Sequence, residues 1–235
     1  MNQRGMALFG VMMALVLASL AVLASARTGL LHEMMTGHQA DQLRAQTMAE
    51  ALILDAEADI LGRRAEGPCR PSAADPARSA AGFIGCRQRG TESVAAAPYF
   101  PQSIEEFEEV RALLQVGAAV PCRDGICAPS SLRALAALGD ESPTLRMLGA
   151  HHGQFTQAAL PSGSTPAEAG QRAWYWVEMF RFHSDSLSSP ALQHARPDPA
   201  RPFVYRITAL AQGSKPGTQA VVKALFVPYP ISQLP

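Results

Sequence analysis

The chain has 235 residues, of which 48% are hydrophobic, and it carries 20 basic and 20 acidic residues. A formal net charge of zero excludes the strongly basic proteins that bind nucleic acid through their overall charge, so no nucleic-acid partner is expected. The length suits one domain preceded by a long helix. The bulky apolar residues outside that helix suffice for a small core, which disulfides would strengthen.

Residues 6–26 contain no charged side chain and are flanked by Arg4 and Arg27. As an α-helix this run would be about 31 Å long, which matches the hydrocarbon core of a bilayer. Three alternatives are open: a signal peptide cleaved after Ala24-Ser25-Ala26, a simple membrane anchor, or a membrane helix that continues into the next segment. The run exceeds the usual apolar length of a signal peptide, and the residues after Arg27 favour the third alternative.

Residues 27–62 contain no proline and are rich in strong helix formers. Their apolar residues recur mostly every three or four positions, which predicts one apolar stripe facing a globular domain. The stripe comprises Leu31, Met34, Met35, His38, Ala45, Met48, Ala49, Leu52, Ala56 and Ile60. Polar residues, including Asp41, Asp55 and Asp59, are assigned to the remaining surface, with Asp59 and Arg63 as a supporting pair. Gly62 is expected to end a single helix that starts at about residue 6.

Four stretches resemble the PilX-type minor pilins of type IV pili. Residues 3–5 (Gln-Arg-Gly) stand directly before the apolar run, as the end of a class III leader does. Residues 32–38 and 48–52 are similar to two stretches of the family's long helix, and residues 205–209 resemble its C-terminal strand. The resemblance covers residues 1–62 and the C-terminal third of the chain, whereas the middle is unmatched.

The resemblance implies an α+β, pilin-like fold. In this fold a long N-terminal helix, half transmembrane and half amphipathic, packs on a C-terminal antiparallel sheet of three or more strands. It divides the chain into a leader peptide (1–5), the long helix (6–62, with 6–26 in the membrane or in a helix bundle) and a globular head (63–235).

Processing and helix packing also follow from the resemblance. Prepilin peptidase would cut between Gly5 and Met6 and leave Met6 as an N-methylated terminus. Inside the fibre, small residues allow helices to approach closely. The small residues expected to do so are Gly10, Ala14, Ala18, Ser19 and Ala21.

Gly10 departs from the family pattern. Most pilins have a glutamate at the matching position, five residues into the mature chain, which is thought to pair with the terminal amine of a neighbour. A subunit without this carboxylate cannot neutralise the terminus of a subunit ahead of it, which would suit a position at or near the fibre tip. Drift within the family is an equally good explanation from the sequence.

The four cysteines are Cys69, Cys86, Cys122 and Cys127, and all follow the apolar run. An even number in a chain bound for an oxidising compartment indicates disulfides, for which three pairings are possible. An Asp-Gly turn between Cys122 and Cys127 favours that pair, with Cys69–Cys86 as the second. The spacings do not match those of zinc sites.

Two helices and three strands are predicted in the head. Ser103 and Glu106 fit a capping box, and Phe107, Val110, Leu113 and Leu114 would form the buried face of the helix that follows. A short helix is expected over 130–138. Residues 172–182, 203–210 and 220–227 are rich in aromatic and β-branched residues and read as strands, the last two joined by a turn at 213–217.

No catalytic residue, metal site or cofactor is expected. The acidic cluster Glu105, Glu106, Glu108 and Glu109 reads as the solvated start of a helix. The adjacent His151 and His152 point apart and make a poor metal clamp. Trp174 and Trp176 are expected in the core, and they would be candidate contact residues if exposed.

The sequence therefore predicts a non-enzymatic minor pilin that helps to initiate or cap a type IV pilus, in keeping with roles in adhesion and twitching motility. The expected partners are other minor pilins, the major pilin, prepilin peptidase, the inner-membrane assembly platform and a tip adhesin. The chain would be a single-pass inner-membrane protein with a periplasmic head before it enters the fibre. The alternatives are a pseudopilin of a type II secretion system and a soluble periplasmic protein released by signal cleavage.

Overall fold

The computed structural model describes most of the chain. The described residues are 3–65, 67–68, 87, 97–116, 120–129, 131, 146–162, 172–183 and 196–228. The short helix predicted over 130–138, apart from Ser131, lies outside them, as do Cys69 and Cys86.

Helix α1 runs from Gln3 to Ile60 as one unbroken element of 58 residues. At the rise of an α-helix this is about 87 Å. The helix was predicted over 6–62, so its existence and its C-terminal end are confirmed to within two residues. It stops just before Gly62, whose φ of 62° lies in the left-handed region that favours glycine at the end of a helix.

Three long strands form the body of the sheet, as the sequence predicts. They are β6 (Ala173–Arg181), β7 (Phe203–Gln212) and β8 (Gln219–Phe226). Consecutive strands pair antiparallel, with Trp176 opposite Thr208 and Thr208 opposite Lys223. The predicted turn at 213–217 joins β7 to β8.

Short strands complete the sheet and make it mixed rather than purely antiparallel. The hairpin of β3 (Cys122–Arg123) and β4 (Ile126–Cys127) joins through β4, which runs parallel to β6. Strand β5 (Ala150–His151) pairs antiparallel with β6. The sequence did not predict these strands, because elements of two residues leave no periodic pattern.

A smaller ladder and one more helix lie beside this sheet. Strands β1 (Arg63–Arg64) and β2 (Gly67–Pro68) pair antiparallel directly after α1. Helix α2 (Ile104–Gln115) is capped by Ser103, whose side chain accepts from the N–H of Glu106. Glu106 in turn accepts from the N–H of Gln102 at 2.7 Å, one residue before the position of an ideal capping box.

Both faces of the sheet hold buried side chains on β6 and β7. One face packs on α1 and contributes Tyr175, Val177, Tyr205 and Ile207 to the main core. The other face holds a second cluster in which Trp174 and Trp176 pack with the two cysteines of the β3–β4 hairpin and with Leu210. Both tryptophans are therefore core residues, as expected, and they offer no exposed contact surface.

The predicted stripe on α1 needs two corrections. Asp41, Asp55 and Asp59, placed on the polar surface, are buried at 2–3% exposure. Leu31, Met34 and Met35, placed on the stripe that contacts the head, are 56–62% exposed because the head begins farther along the helix. The part of the stripe that packs on the sheet starts at Ala45.

Candidate functional site: the exposed helix and its attachment to the head

The first half of α1 projects from the head as a bare apolar surface. Within Leu8–Ile60 an 18-residue window has a mean hydropathy of 2.4, and none of that window is buried. By length and composition alone, this helix is able to cross a membrane. Leu8, Leu20 and Leu23 are each more than half exposed in the isolated chain. Such a surface needs lipid or other apolar helices around it.

Two hydroxyl groups on this half of the helix donate to carbonyl groups of the helix itself. The Ser19 hydroxyl donates to the carbonyl of Leu15 at 2.7 Å, and the Thr28 hydroxyl donates to the carbonyl of Ala24 at 2.9 Å. These bonds remove the cost of placing an unpaired hydroxyl in an apolar medium. The segment therefore suits lipid and a helix bundle equally well.

The small residues predicted to pack against other helices lie along this surface. Gly10, Ala14, Ala18 and Ala21 follow one another at intervals of four, four and three residues, which places them on one face of the helix. Apart from its chain neighbours and the nearby helix backbone, no described atom lies within 4 Å of a Cβ built at Gly10, so a neighbouring helix has room to approach there. Their use in packing stays a prediction, as does cleavage between Gly5 and Met6.

Asp41 fixes the β7–β8 turn to the helix at the point where the apolar half leaves the head. Its carboxylate accepts from the N–H groups of Ser214 and Lys215, both at 2.9 Å, and from the Ser214 hydroxyl at 2.6 Å. Burial raises the pKa of Asp41, but the hydrogen bonds from Ser214 and Lys215 outweigh burial and hold the pKa well below its usual range. A Cβ at Gly213 would collide with this carboxylate.

Asp55 holds the turn at residues 153–156. It accepts from the N–H of Gly153 at 2.7 Å and from the hydroxyl of Thr156. Burial raises the pKa of Asp55 to about 6, against the lowering effect of these two hydrogen bonds and with a further rise from the charge of Asp59. This carboxylate changes its charge in the range between mildly acidic and neutral pH.

Asp59 forms a buried ion pair with Arg87, and not the predicted pair with Arg63. The Arg87 Nε donates to Asp59 Oδ2 at 3.0 Å, and the Tyr175 hydroxyl donates to the same oxygen at 2.8 Å. The guanidinium carbon also lies 3.7 Å from the ring centroid of Phe155. Burial lowers the pKa of Arg87, but the Asp59 carboxylate outweighs burial and raises it. Helix α1, strand β6 and the long connection after α1 therefore meet at one charge pair.

The Cys122–Cys127 disulfide is present as predicted. Between the cysteines, Asp124 and Gly125 have φ values of 50° and 76°, the conformation that the predicted Asp-Gly turn requires. The carbonyl of Asp124 accepts from Arg87 Nη1. The disulfide thus stabilises the turn whose Asp124 carbonyl binds Arg87.

The sequence contained a signal for these attachments. Asp41, Asp55 and Asp59 continue the three- and four-residue spacing of Ala45 and Leu52, so they belong to the buried stripe by position. They were predicted to face solvent because they are charged. Arg87 carried no signal, because the partners of a residue in a long irregular connection depend on how that connection folds.

The remaining candidates for metal binding are the carboxylates and histidines of the described residues. Within the described ranges, no group of three or more His, Cys, Asp or Glu side chains is placed to hold a metal ion. His151 lies in β5 with its Nδ1 3.3 Å from the carbonyl of Ala173, and burial lowers the pKa of both His151 and His152. The carboxylates of Asp41 and Asp55 hold turns, and the carboxylate of Asp59 holds Arg87.

The C-terminal part of the chain is similar to a known protein family. Residues 123–228 match the family model described as type IV pilus assembly protein PilX, C-terminal. The matched segment covers β4 to β8 and the turns that Asp41 and Asp55 hold. No curated protein and no solved structure matches the chain significantly.

Proposed function

We propose that this chain, which is a PilX-type pilin, is a minor subunit that helps to initiate or cap a type IV pilus as part of a complex at the fibre tip. The observation that carries the proposal is an apolar helical half, exposed along its length, on a head that matches a pilus assembly family. Such a family points to a structural subunit and to contacts with other pilus components.

The mechanism is a transfer of the helix between two apolar environments. The chain enters the inner membrane with Arg4 on the cytoplasmic side, in keeping with the positive-inside bias. Prepilin peptidase removes residues 1–5, and the helix from Met6 is withdrawn from lipid into a bundle formed with other minor pilins and the major pilin. Because lipid contacts are exchanged for apolar helix contacts, close packing at small residues supplies the net stabilisation.

Gly10 supports a position at the fibre tip. A carboxylate in the middle of an apolar bundle is costly unless it is paired. The first subunit of a fibre has no subunit ahead whose terminal amine would pair with it. A glycine at this position therefore suits a subunit that begins the fibre, next to the assembly platform at first and beside a tip adhesin later.

The N-terminal peptide mass of the mature protein, isolated from cells that contain prepilin peptidase, tests the assignment. We expect a chain that starts at N-methylated Met6. A chain that starts at Arg27 would establish a cleaved signal peptide and a soluble periplasmic protein, and would refute the proposal. An intact Met1 would leave a plain membrane anchor and refute it as well.

A further inference from the structure

Strand β8 forms one edge of the sheet. Its residues Gln219–Phe226 pair with Gln212–Tyr205 of β7 in an uninterrupted antiparallel register. No described strand pairs with the other side of β8. The strand contains no proline. An edge of this length presents backbone N–H and C=O groups in the geometry that accepts a further strand.

The side chains of β8 divide cleanly between the two faces of the sheet. Ala220, Val222, Ala224 and Phe226 belong to the core or pack against it. On the opposite face Val221 is 49% exposed and Leu225 is 72% exposed. Lys223 lies between these two and is also exposed. Beside this edge, which pairs with none of the described strands, the outer face of β8 therefore presents Val221 and Leu225 with the positive charge of Lys223 between them.

The opposite edge of the described sheet is closed to such pairing. It consists of β3, which has two residues and is tied to β4 by the disulfide, and of β5, which also has two residues. Short edge strands are a common protection against strand addition. Strand β8 has eight residues and lacks this protection, so the two edges differ in what they accept.

The orientation of the membrane helix excludes a second copy of this chain as the antiparallel partner. Two β8 strands paired antiparallel would be related by a two-fold axis perpendicular to the sheet. That axis reverses every direction in the plane of the sheet, including that of α1, which packs on it. The two apolar helices would then point in opposite directions, whereas pilin helices share one orientation in a membrane or a fibre.

We infer that β8 is a docking edge for a strand from the head of a different pilin subunit, whose outer face carries an acidic residue opposite Lys223 between two apolar residues. This inference rests on the proposed function, because helix bundling is what brings two heads side by side. Backbone hydrogen bonds would supply the affinity. The exposed Val221–Lys223–Leu225 row would supply the choice of partner.

Photo-crosslinking in cells with a complete set of pilus proteins tests the inference on the full-length chain. Benzoylphenylalanine is placed at Val221 or Leu225 on β8, at Val16 on the exposed helix, and at Met147, an 83% exposed control elsewhere on the head. We expect adducts from both β8 positions to contain a strand peptide from the head of another pilin, identified by mass spectrometry.

Charge reversal supplies a second measurement. We expect Lys223→Glu to lower the yield of these β8 adducts about fivefold or more by placing like charges opposite each other. Arg111→Glu, a half-exposed site on α2, should leave the yield unchanged. Both variants should unfold thermally like the wild type, because both side chains are on the surface.

The remaining outcomes overturn the inference. Adducts at β8 that contain only this chain's own residues 229–235, only another β8, or no more material than at Met147 would show that the edge does not dock a different pilin. In that case pilin adducts at Val16 would leave the proposed function intact. Absence of pilin adducts at Val16 as well would refute the proposed function together with the docking edge.

Discussion

Three aspartates of α1 hold the head to the helix, and the pKa values of two of them, Asp41 and Asp55, are shifted in opposite directions. Burial raises the pKa of Asp41, but hydrogen bonds from Ser214, Lys215 and Thr218 outweigh burial and hold this pKa well below the usual range. Asp55 is deeply buried, so its pKa is raised to about 6. Asp41 therefore contributes stability that is lost only when the pH falls below its ordinary pKa of 3.8. The contribution of Asp55 to stability is lost as the pH rises, and this loss occurs at a higher pH.

The raised pKa of Asp55 predicts how the stability of the protein changes with pH. The folded protein holds the Asp55 proton more tightly than the unfolded chain does, so the contribution of Asp55 is fully present below pH 3.8 and is lost as the pH rises through about 6. We expect the free energy of unfolding of the wild type, relative to Asp55→Asn, to fall by on the order of 3 kcal/mol across this window. Denaturant unfolding at pH 4 and pH 7 measures it.

Asp55→Asn is a suitable control because an amide keeps one acceptor for the N–H of Gly153 and gains a donor for the hydroxyl of Thr156. Asp41→Asn should give no comparable change in this window. A difference between wild type and Asp55→Asn that is flat from pH 4 to pH 7 would contradict the assigned pKa.

A second prediction concerns the pair of Asp59 and Arg87. Replacing Arg87 by methionine removes the cation and leaves a buried carboxylate with Tyr175 as its remaining described donor. Breaking a buried pair in this way costs about 3–5 kcal/mol. We expect a loss of this size in denaturant unfolding of Arg87→Met.

Arg111→Met is the matched control. Arg111 pairs with Glu108 at 3.2 Å on the surface, where both side chains are about half exposed, and such pairs contribute about 1 kcal/mol or less. Equal losses for the two variants would show that the Arg87 pair does not hold the head together. Adding Asp59→Asn to Arg87→Met should recover part of the loss, since it removes the stranded charge.

At the scale of single elements, the two halves of α1 differ in which of their faces are apolar and in what those faces contact. The second half is amphipathic in the usual sense, because one face packs on the sheet from Ala45 onward. The first half is exposed on all sides in the isolated chain and has no polar face. An uninterrupted helix of this kind is stable in water only where tertiary contacts hold it, and its apolar half requires lipid or neighbouring helices.

Substitutions at Gly10 are predicted to affect pilus assembly according to their charge. If the chain begins the fibre, Gly10→Glu places a carboxylate without an amine partner in the bundle, which costs about 3 kcal/mol and should lower the number of surface pili about tenfold or more. Gly10→Ala keeps the residue small and should assemble normally. The amount of sheared fibre, measured by immunoblot, reports both, and normal assembly of Gly10→Glu would count against a position at the tip.

The local sequence pattern encodes the long strands of the sheet but not the short ones. Strands β6, β7 and β8 were predicted within two residues, because eight to ten residues with β-branched and aromatic side chains leave a clear pattern. The β3–β4 hairpin was recognised as a turn between two cysteines, but its parallel pairing with β6 was not. That pairing depends on contacts between residues some 50 positions apart in sequence, which no local pattern encodes.

At the scale of the whole molecule, the core of the head forms without the exposed half of α1. Among the side chains that the structure describes, the first buried one is Asp41. The core of the head thus needs none of the apolar residues that precede it. A molecule divided in this way can move its exposed helix from lipid into a helix bundle without unfolding its head.

The sequence by itself determined the long helix, its apolar first half, the three main strands, the Cys122–Cys127 pair and the resemblance to PilX-type pilins. Each of these depends on local periodicity, on turn residues or on uninterrupted hydrophobicity, which are properties of neighbouring positions. Only the tertiary structure decided that three aspartates face the head, that Asp59 pairs with Arg87 and that β8 is left as a long edge. These features depend on which distant segments contact one another in the fold. Those contacts determine how strongly a charged side chain is desolvated and which partner it has, and the position of the residue in the sequence does not.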